Sequence, residues 1–246
     1  MPKFFVRQDQ IKENEITVLG DDAFHISRSL RMAKGETIDV SDMQGVQYKC
    51  VLKEFNPDSV VAEIVSSFQL DNEPPVKIYL YQALPKGDKL DTVIQKSVEC
   101  GVYEITPFES DRCVVRSKPD AEERKTERRN RISLEASKQC GRGYVPRVNK
   151  TVSFDEAVAL SKKCDLALFC YEGEATVSLR KVLSDAINKG VGSISVMIGS
   201  EGGFSTPEYE KATANGMISV GLGKRILRTE TAASFVLSCI AYETEL

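Results

Sequence analysis

Two clusters in the last third of the chain combine residue types and spacings that could do chemistry. In the first, the apolar run SISVMI ends in Gly199, Ser200, Glu201, Gly202, Gly203 and Phe204. In the second, ISVGLG is followed by KRILRTETAAS, which carries Arg225, Arg228 and Glu230. Each cluster is a strand signal running into a glycine loop. Loops at the carboxyl ends of parallel strands form the crevice in which α/β proteins bind ligands. Glycines there allow positive φ and close approach of the backbone. A G-x-E-G-G sequence is also compatible with a tight turn and nothing more. Two such loops, flanked by Ile198, Leu222, Ile226 and Leu227, suit a flat, neutral, partly apolar ligand held by backbone groups, as an adenosine moiety is. Neither G-x-x-x-x-G-K-[ST] nor, after any strand, G-x-G-x-x-G occurs, which disfavours a phosphate cradle and a dinucleotide site.

The elements that must position these loops follow from composition and pattern. With 246 residues, 41% of them hydrophobic, the chain can bury a sizeable core and is expected to hold two domains. A formal net charge of −3 excludes a globally basic nucleic-acid binder and leaves room only for local basic patches. No run of about 18 apolar residues is present, so no membrane span is expected. MPKFFVRQ lacks the apolar centre of a signal peptide. Seven scattered cysteines without C-x-x-C spacing, and a single histidine, His25, argue against a disulfide framework and against a metal site. A reduced, cytoplasmic protein without metal is the expectation.

Residues 1–70 read as mostly β, with FFVRQ, EITVLG, ETIDVSD, VQYKCVLKEF and SVVAEIVSSF as strands and AFHISRSLRM as a helix capped by Asp21 or Asp22. That pattern suggests a small β-barrel. DNEPP at 71–75 is the linker candidate. From residue 76 to 246 strands and helices alternate, which predicts a parallel sheet covered on both faces. TPEYEKATANG is a helix with Thr206 as its cap, Pro207 in its first turn and Asn215-Gly216 closing it.

The sequence IGSEGGFS-x-x-E, followed by V-x-LG-x-RILRTETA, resembles the C-terminal signature of the SPOUT methyltransferases, and within them the RsmE-type 16S ribosomal RNA (uracil-N3)-methyltransferase family. PKGDKLDTVIQKSVECGVYEITPF and RISLEASKQCGRGYVPRV resemble other parts of the same family, so the likeness covers nearly the whole chain. Ser200 stands where relatives often carry proline and Cys100 where leucine is usual; neither removes a polar functional group. The resemblance implies an α/β fold whose C-terminal SPOUT-type parallel sheet (76–246) contains a trefoil knot, preceded by a PUA-like β-barrel that binds RNA (1–70). It also implies S-adenosyl-L-methionine as cofactor, bound by Tyr171 and Glu172, by Gly199, Ser200, Glu201, Gly202 and Gly203, and by Leu222, Gly223, Ile226 and Leu227. The implied partner is 16S rRNA or the small ribosomal subunit. Two rival readings are a SPOUT enzyme acting on transfer RNA and a non-enzymatic RNA-binding assembly factor.

Uridine N3 carries a weakly acidic proton and becomes a nucleophile only when that proton leaves. An arginine fork can stabilise the charge that spreads onto the uracil oxygens. Arg228 is the candidate for that role, and Glu230 for accepting the proton or orienting Arg228. The plainer alternative is that Arg228 and Glu230 pair to cap the last helix. For RNA contact, residues 112–150 hold twelve Lys/Arg against five Asp/Glu. Part of that is a solvated helix face, and Arg142 is the favoured phosphate contact. Arg7, His25, Arg28 and Arg31 form a second candidate strip. The last helix, with Ala232, Ala233, Phe235, Val236, Leu237, Cys239 and Ile240, is apolar nearly all round, which predicts burial on more than one side and a homodimer.

Overall fold

The alternation before position 70 becomes a six-stranded sheet. Its strands are β1 (Lys3–Phe5), β2 (Ile11–Lys12), β3 (Glu15–Leu19), β4 (Thr37–Ser41), β5 (Val46–Phe55) and β6 (Ser59–Gln69), with α1 (Gly20–Phe24) after β3. The order is β1-β4-β5-β6-β3-β2; β1 pairs with β4 in parallel and the other pairs are antiparallel. Period-two alternation turns Ile16, Val18, Ile38, Val40, Cys50, Leu52, Val60 and Ala62 into a core that Phe4 and Ile26 complete. Asp21 and Asp22 are not caps: the helix starts at Gly20, and the two carboxylates sit in its first turn, where the N-terminal dipole favours them. The chain then continues as a π turn over His25–Ser29.

The computed structural model describes residues 1–173 and 176–246. These divide into two units, Met1–Glu73 with Ser137–Val145, and Pro74–Ala136 with Pro146–Leu246. Assignment of all of 76–246 to one domain therefore needs correction at Ser137–Val145, which groups with the first unit. The reason is a set of tertiary ties. Lys138 Nζ reaches Asp22 at 3.0 Å, and Ser41 Oγ donates to the Gly143 carbonyl at 2.8 Å. In the 71–75 segment, Asn72 donates to the Gly141 carbonyl and Glu73 pairs with Arg142, so this stretch is more than a spacer.

The second unit contains β7 (Lys77–Ala83), α2 (Lys89–Glu99), β8 (Glu104–Glu109), α3 (Pro119–Cys140), β9 (Arg147–Val148), β10 (Val152–Ser153), α4 (Phe154–Ser161), β11 (Leu166–Cys170), β12 (Val177–Ser178), α5 (Leu179–Ile187), β13 (Ser193–Ile198), α6 (Thr206–Ala214), β14 (Ile218–Gly221) and α7 (Thr229–Glu245). The strands run β10-β8-β7-β13-β11-β14-β12, with β9 beside β8, and every pairing is parallel. All five residues of β11 are buried, as a strand covered on both faces requires. Ser205, not Thr206, caps α6: its hydroxyl accepts from the Glu208 N–H while the Glu208 carboxylate accepts from the Ser205 N–H. Near the start of α3, buried Glu122 accepts from Ser117 Oγ, Thr151 N, Thr151 Oγ1 and Arg129 Nη1. Among the described residues no helix is long and apolar enough to cross a membrane.

Candidate functional site

Strands β13, β11 and β14 are neighbours, so the loops leaving their carboxyl ends converge. Residues 171–173 follow β11, 199–204 follow β13 and 222–228 follow β14, and together they line a cavity of about 730 Å³. That volume lies in the range of small-molecule sites. All eleven residues proposed from sequence for the cofactor, from Tyr171 to Leu227, lie on its wall, and so does Arg228.

The glycines are there for separate reasons. A Cβ on Gly199 would come within 3.2 Å of the Gly203 backbone and of the Phe204 ring, so the loop closes tightly on itself. Gly203 and Gly223 have φ of +66° and +102°, a region that side chains disfavour. On the β11 side, Tyr171 stacks on Tyr209 at 4.6 Å, continuing the Phe169–Phe204 contact at 4.2 Å, so the ring on the wall is fixed from behind.

The loops are also held by polar ties. Gln82 at the end of β7 donates to Thr229 Oγ1 at 2.8 Å, and that hydroxyl donates to the Gly199 carbonyl at 2.7 Å. The first threonine of RTETA thus locks the start of α7 to both β7 and the glycine loop. Glu201 accepts from Lys86 N at 3.1 Å and from Lys89 Nζ at 2.6 Å. Burial opposes its charge, but the Lys89 ammonium and backbone N–H groups hold the carboxyl below its ordinary value. Cys170, also on the wall, is no nucleophile at neutral pH, because burial pushes its thiol up to about 12. Ser200 Oγ is buried without a hydrogen-bond partner among the described residues.

Arg228 is exposed and makes no ion pair among the described residues, so the pairing of Arg228 with Glu230 does not occur. Glu230 stands in the first turn of α7, but it is not among the residues that line the cavity, and its Oε2 is buried without a hydrogen-bond partner among the described residues.

The expected RNA contacts separate. Arg28 and Arg31 are exposed with no ion pair among the described residues. Arg7 is exposed and bonded to Asp9 at 3.1 Å, and His25 sets its ring edge-on to Phe4. Arg142 needs correction. Its side chain is 6% exposed and donates from Nη2 and Nε to Glu73, whose other oxygen accepts from the N–H groups of Gly143 and Tyr144. A guanidinium so buried and committed is an internal tie, not a phosphate contact. Arg128 and Arg129 are likewise committed, to Asp91 and Glu122. Sequence reasoning missed Lys89 and Arg112, which line the cavity from outside the glycine motifs.

Comparisons with known proteins agree with this geometry. Residues 72–241 match the RNA methyltransferase domain family. The chain is 34% identical over 252 residues to the ribosomal RNA small subunit methyltransferase E of Bacillus subtilis, covering all of this chain and 98% of the relative. It is similar to the crystal structure of the ribosomal RNA small subunit methyltransferase E from Neisseria gonorrhoeae bound to S-adenosyl methionine, with a TM-score of 0.84, 30% identity, and coverage of 98% and 97% of the two chains. A putative methyltransferase from Legionella pneumophila in complex with the bound cofactor SAM matches with a TM-score of 0.86, 28% identity, and coverage of 98% and 96%. By full-length similarity and by the site it builds, the chain belongs to the RNA methyltransferase family, of the ribosomal RNA small subunit methyltransferase E type.

Proposed function

We propose that this protein methylates N3 of a uridine in 16S rRNA, using S-adenosyl-L-methionine held by the three loops. The observation that carries this reading is the cavity enclosed by the exits of β11, β13 and β14, with an arginine on its wall that has no ion pair among the described residues. The residues fit the cofactor: a closed glycine loop, a positive-φ glycine at 223, an aromatic wall at Tyr171 and the unpartnered Ser200 hydroxyl suit an adenosine bound through backbone and edge contacts. When bound, the cofactor supplies an activated methyl group on a sulfonium centre. Arg228 donates to the uracil oxygens as N3 loses its proton, which lowers the cost of the developing charge. With Glu230 off the wall, the proton leaves to solvent, and Glu230 complements the N–H groups at the start of α7.

We read the C-terminal unit as a SPOUT domain with a trefoil knot, which the family membership and the Gln82–Thr229–Gly199 tie support. The N-terminal unit is read as a PUA-like RNA-binding domain with Arg28 and Arg31 on its RNA-facing surface, and the protein as cytoplasmic, where its substrate is made. Primer extension on small-subunit RNA from cells lacking the protein tests the function. A polymerase stop at one uridine should vanish on deletion and return on complementation; a stop unchanged by deletion refutes the assignment.

The protein is further proposed to act as a homodimer through α7. Val236, Leu237 and Ile240 are fully buried within the chain, so Leu237, an interface candidate by hydropathy, belongs to the core. Phe235 and Tyr242 remain 38% and 67% exposed on the same helix beside Leu222 and Gly223 in an apolar groove. Phe235→Asp is expected to convert the dimer to monomer in sedimentation velocity with the melting temperature nearly unchanged, because a charge at a buried interface is costly. A wild-type monomer with full activity would overturn this assembly.

A further inference from the structure

We propose that Arg112 holds a backbone phosphate of the RNA substrate at the rim of the cavity, through the same guanidinium that braces Gly202. The inference rests on the function proposed above.

Arg112 sits in the turn that leaves β8. Asp111 N donates to Glu208 Oε1 at 2.9 Å, Ser205 Oγ donates to Asp111 Oδ2 at 2.6 Å, and Cys113 N donates to the Ser110 carbonyl at 3.1 Å. The backbone is thus stapled on both sides of Arg112 while its side chain stays exposed. Nη1 donates to the Gly202 carbonyl at 2.9 Å. A Cβ on Gly202 would stand 3.0 Å from Arg112 Cβ, so this glycine makes room for the arginine rather than for the ligand. One tie uses one of the five N–H donors of a guanidinium. The others have no partner among the described residues. The result is a fork held in orientation at the cavity mouth with its free donors available.

Charge identifies what that fork takes. Lys224, Arg225 and Arg228 line the same cavity without ion pairs among the described residues, whereas Glu201 is neutralised by Lys89, which leaves Glu172 as the uncommitted carboxylate there. Arg112 enters from the exit of β8 and Lys224 and Arg225 from the exit of β14. The Arg112 guanidinium nevertheless reaches the Gly202 carbonyl in the loop after β13, and the order β13-β11-β14 sets that loop two strand spacings, roughly 10 Å, from the exit of β14. Cations spread along the wall in this way suit consecutive phosphates of an RNA strand. An arginine fork suits a phosphodiester because it can donate to two oxygens at once.

Binding of small ribosomal subunits, and of free 16S rRNA, would be measured against salt for the full-length protein, Arg112→Gln and Arg112→Lys, with S-adenosylmethionine affinity by calorimetry and a melting curve for each. Arg112→Gln should weaken RNA binding roughly three- to tenfold and reduce the slope of log K against log salt by about 0.7–1. Arg112→Lys should keep the slope. Cofactor affinity, measured in both, separates loss of the Gly202 brace from loss of the phosphate contact. A salt slope unchanged in Arg112→Gln would make Arg112 a loop brace only and overturn the proposal; so would a loss confined to cofactor binding. Arg112→Lys serves if the glutamine variant does not fold: it must then keep the wild-type slope while losing affinity for RNA, and unaltered RNA affinity overturns the proposal. If the wild-type protein neither binds S-adenosylmethionine nor methylates small-subunit RNA, the proposed function fails instead, which separates the two outcomes.

Discussion

Arg228→Ala is expected to lower the single-turnover rate of methyl transfer by about 10²–10³, with S-adenosylmethionine affinity nearly unchanged. Arg228 is the last residue before α7, and its backbone is held by helix entry, since the Arg228 carbonyl accepts from Ala232 N at 2.8 Å. The substitution should therefore leave the loop path in place and remove only an exposed guanidinium. That guanidinium has no protein partner to release it or compete for it among the described residues, so its donors are available as charge develops on uracil. An interaction strongest at that moment affects rate more than ground-state binding. Arg228→Lys should recover part of the loss, because charge returns without the fork. Wild-type single-turnover rates in Arg228→Ala would remove the central mechanistic claim. Glu230→Gln, by contrast, should leave the pH–rate profile in place, since Glu230 is not on the cavity wall; a displaced profile would return it to catalysis.

The second large effect concerns stability. Glu122→Gln should cost about 3–5 kcal/mol, because it leaves the Arg129 guanidinium buried without its counter-charge. The two side chains are 10% and 8% exposed and 3.0 Å apart. In a chain of this size such a loss lowers the melting temperature by roughly 10 °C. Burial works against ionised Glu122, but hydrogen bonds from Ser117 and Thr151 together with Arg129 hold its carboxyl below the ordinary value. A carboxyl depressed by folding contributes stability above its unfolded pKa, and loses it as pH falls through the folded one. Wild type and Glu122→Gln should therefore differ most near neutral pH and converge below the usual carboxylate range. Replacing both Glu122 and Arg129 with leucine should restore much of the loss, since no uncompensated charge remains. Equal melting temperatures for wild type and Glu122→Gln at pH 7 would show that the pair contributes nothing.

What the sequence determined by itself is what depends on neighbours along the chain. Strand–helix alternation after residue 76 announced the parallel sheet, because βαβ units carry their periodicity locally. Gly199, Gly203 and Gly223 were legible because tight local closure or positive φ demands glycine there, whereas the reason for Gly202 is the distant Arg112. The motif RILRTETA marked Arg228 for the same reason, since loop, arginine and helix start follow one another. Even the misplaced cap of α6 is a one-residue shift, from Thr206 to Ser205, between two side chains that can both accept from a helix N-terminus.

The tertiary structure decided which charges are free. Twelve basic residues between 112 and 150 look alike in the sequence, yet Arg142 is consumed by Glu73, Arg129 by Glu122 and Arg128 by Asp91. Arg112, one of the same set, alone lines the cavity. The Arg142–Glu73 and Arg128–Asp91 pairs depend on partners far away in the chain, as do the Gln82–Thr229 tie and the Arg112–Gly202 contact, whereas Arg129 and Glu122 are two turns apart on α3. A charged side chain is buried only where folding delivers an opposite charge to it, and no local pattern encodes where that partner arrives.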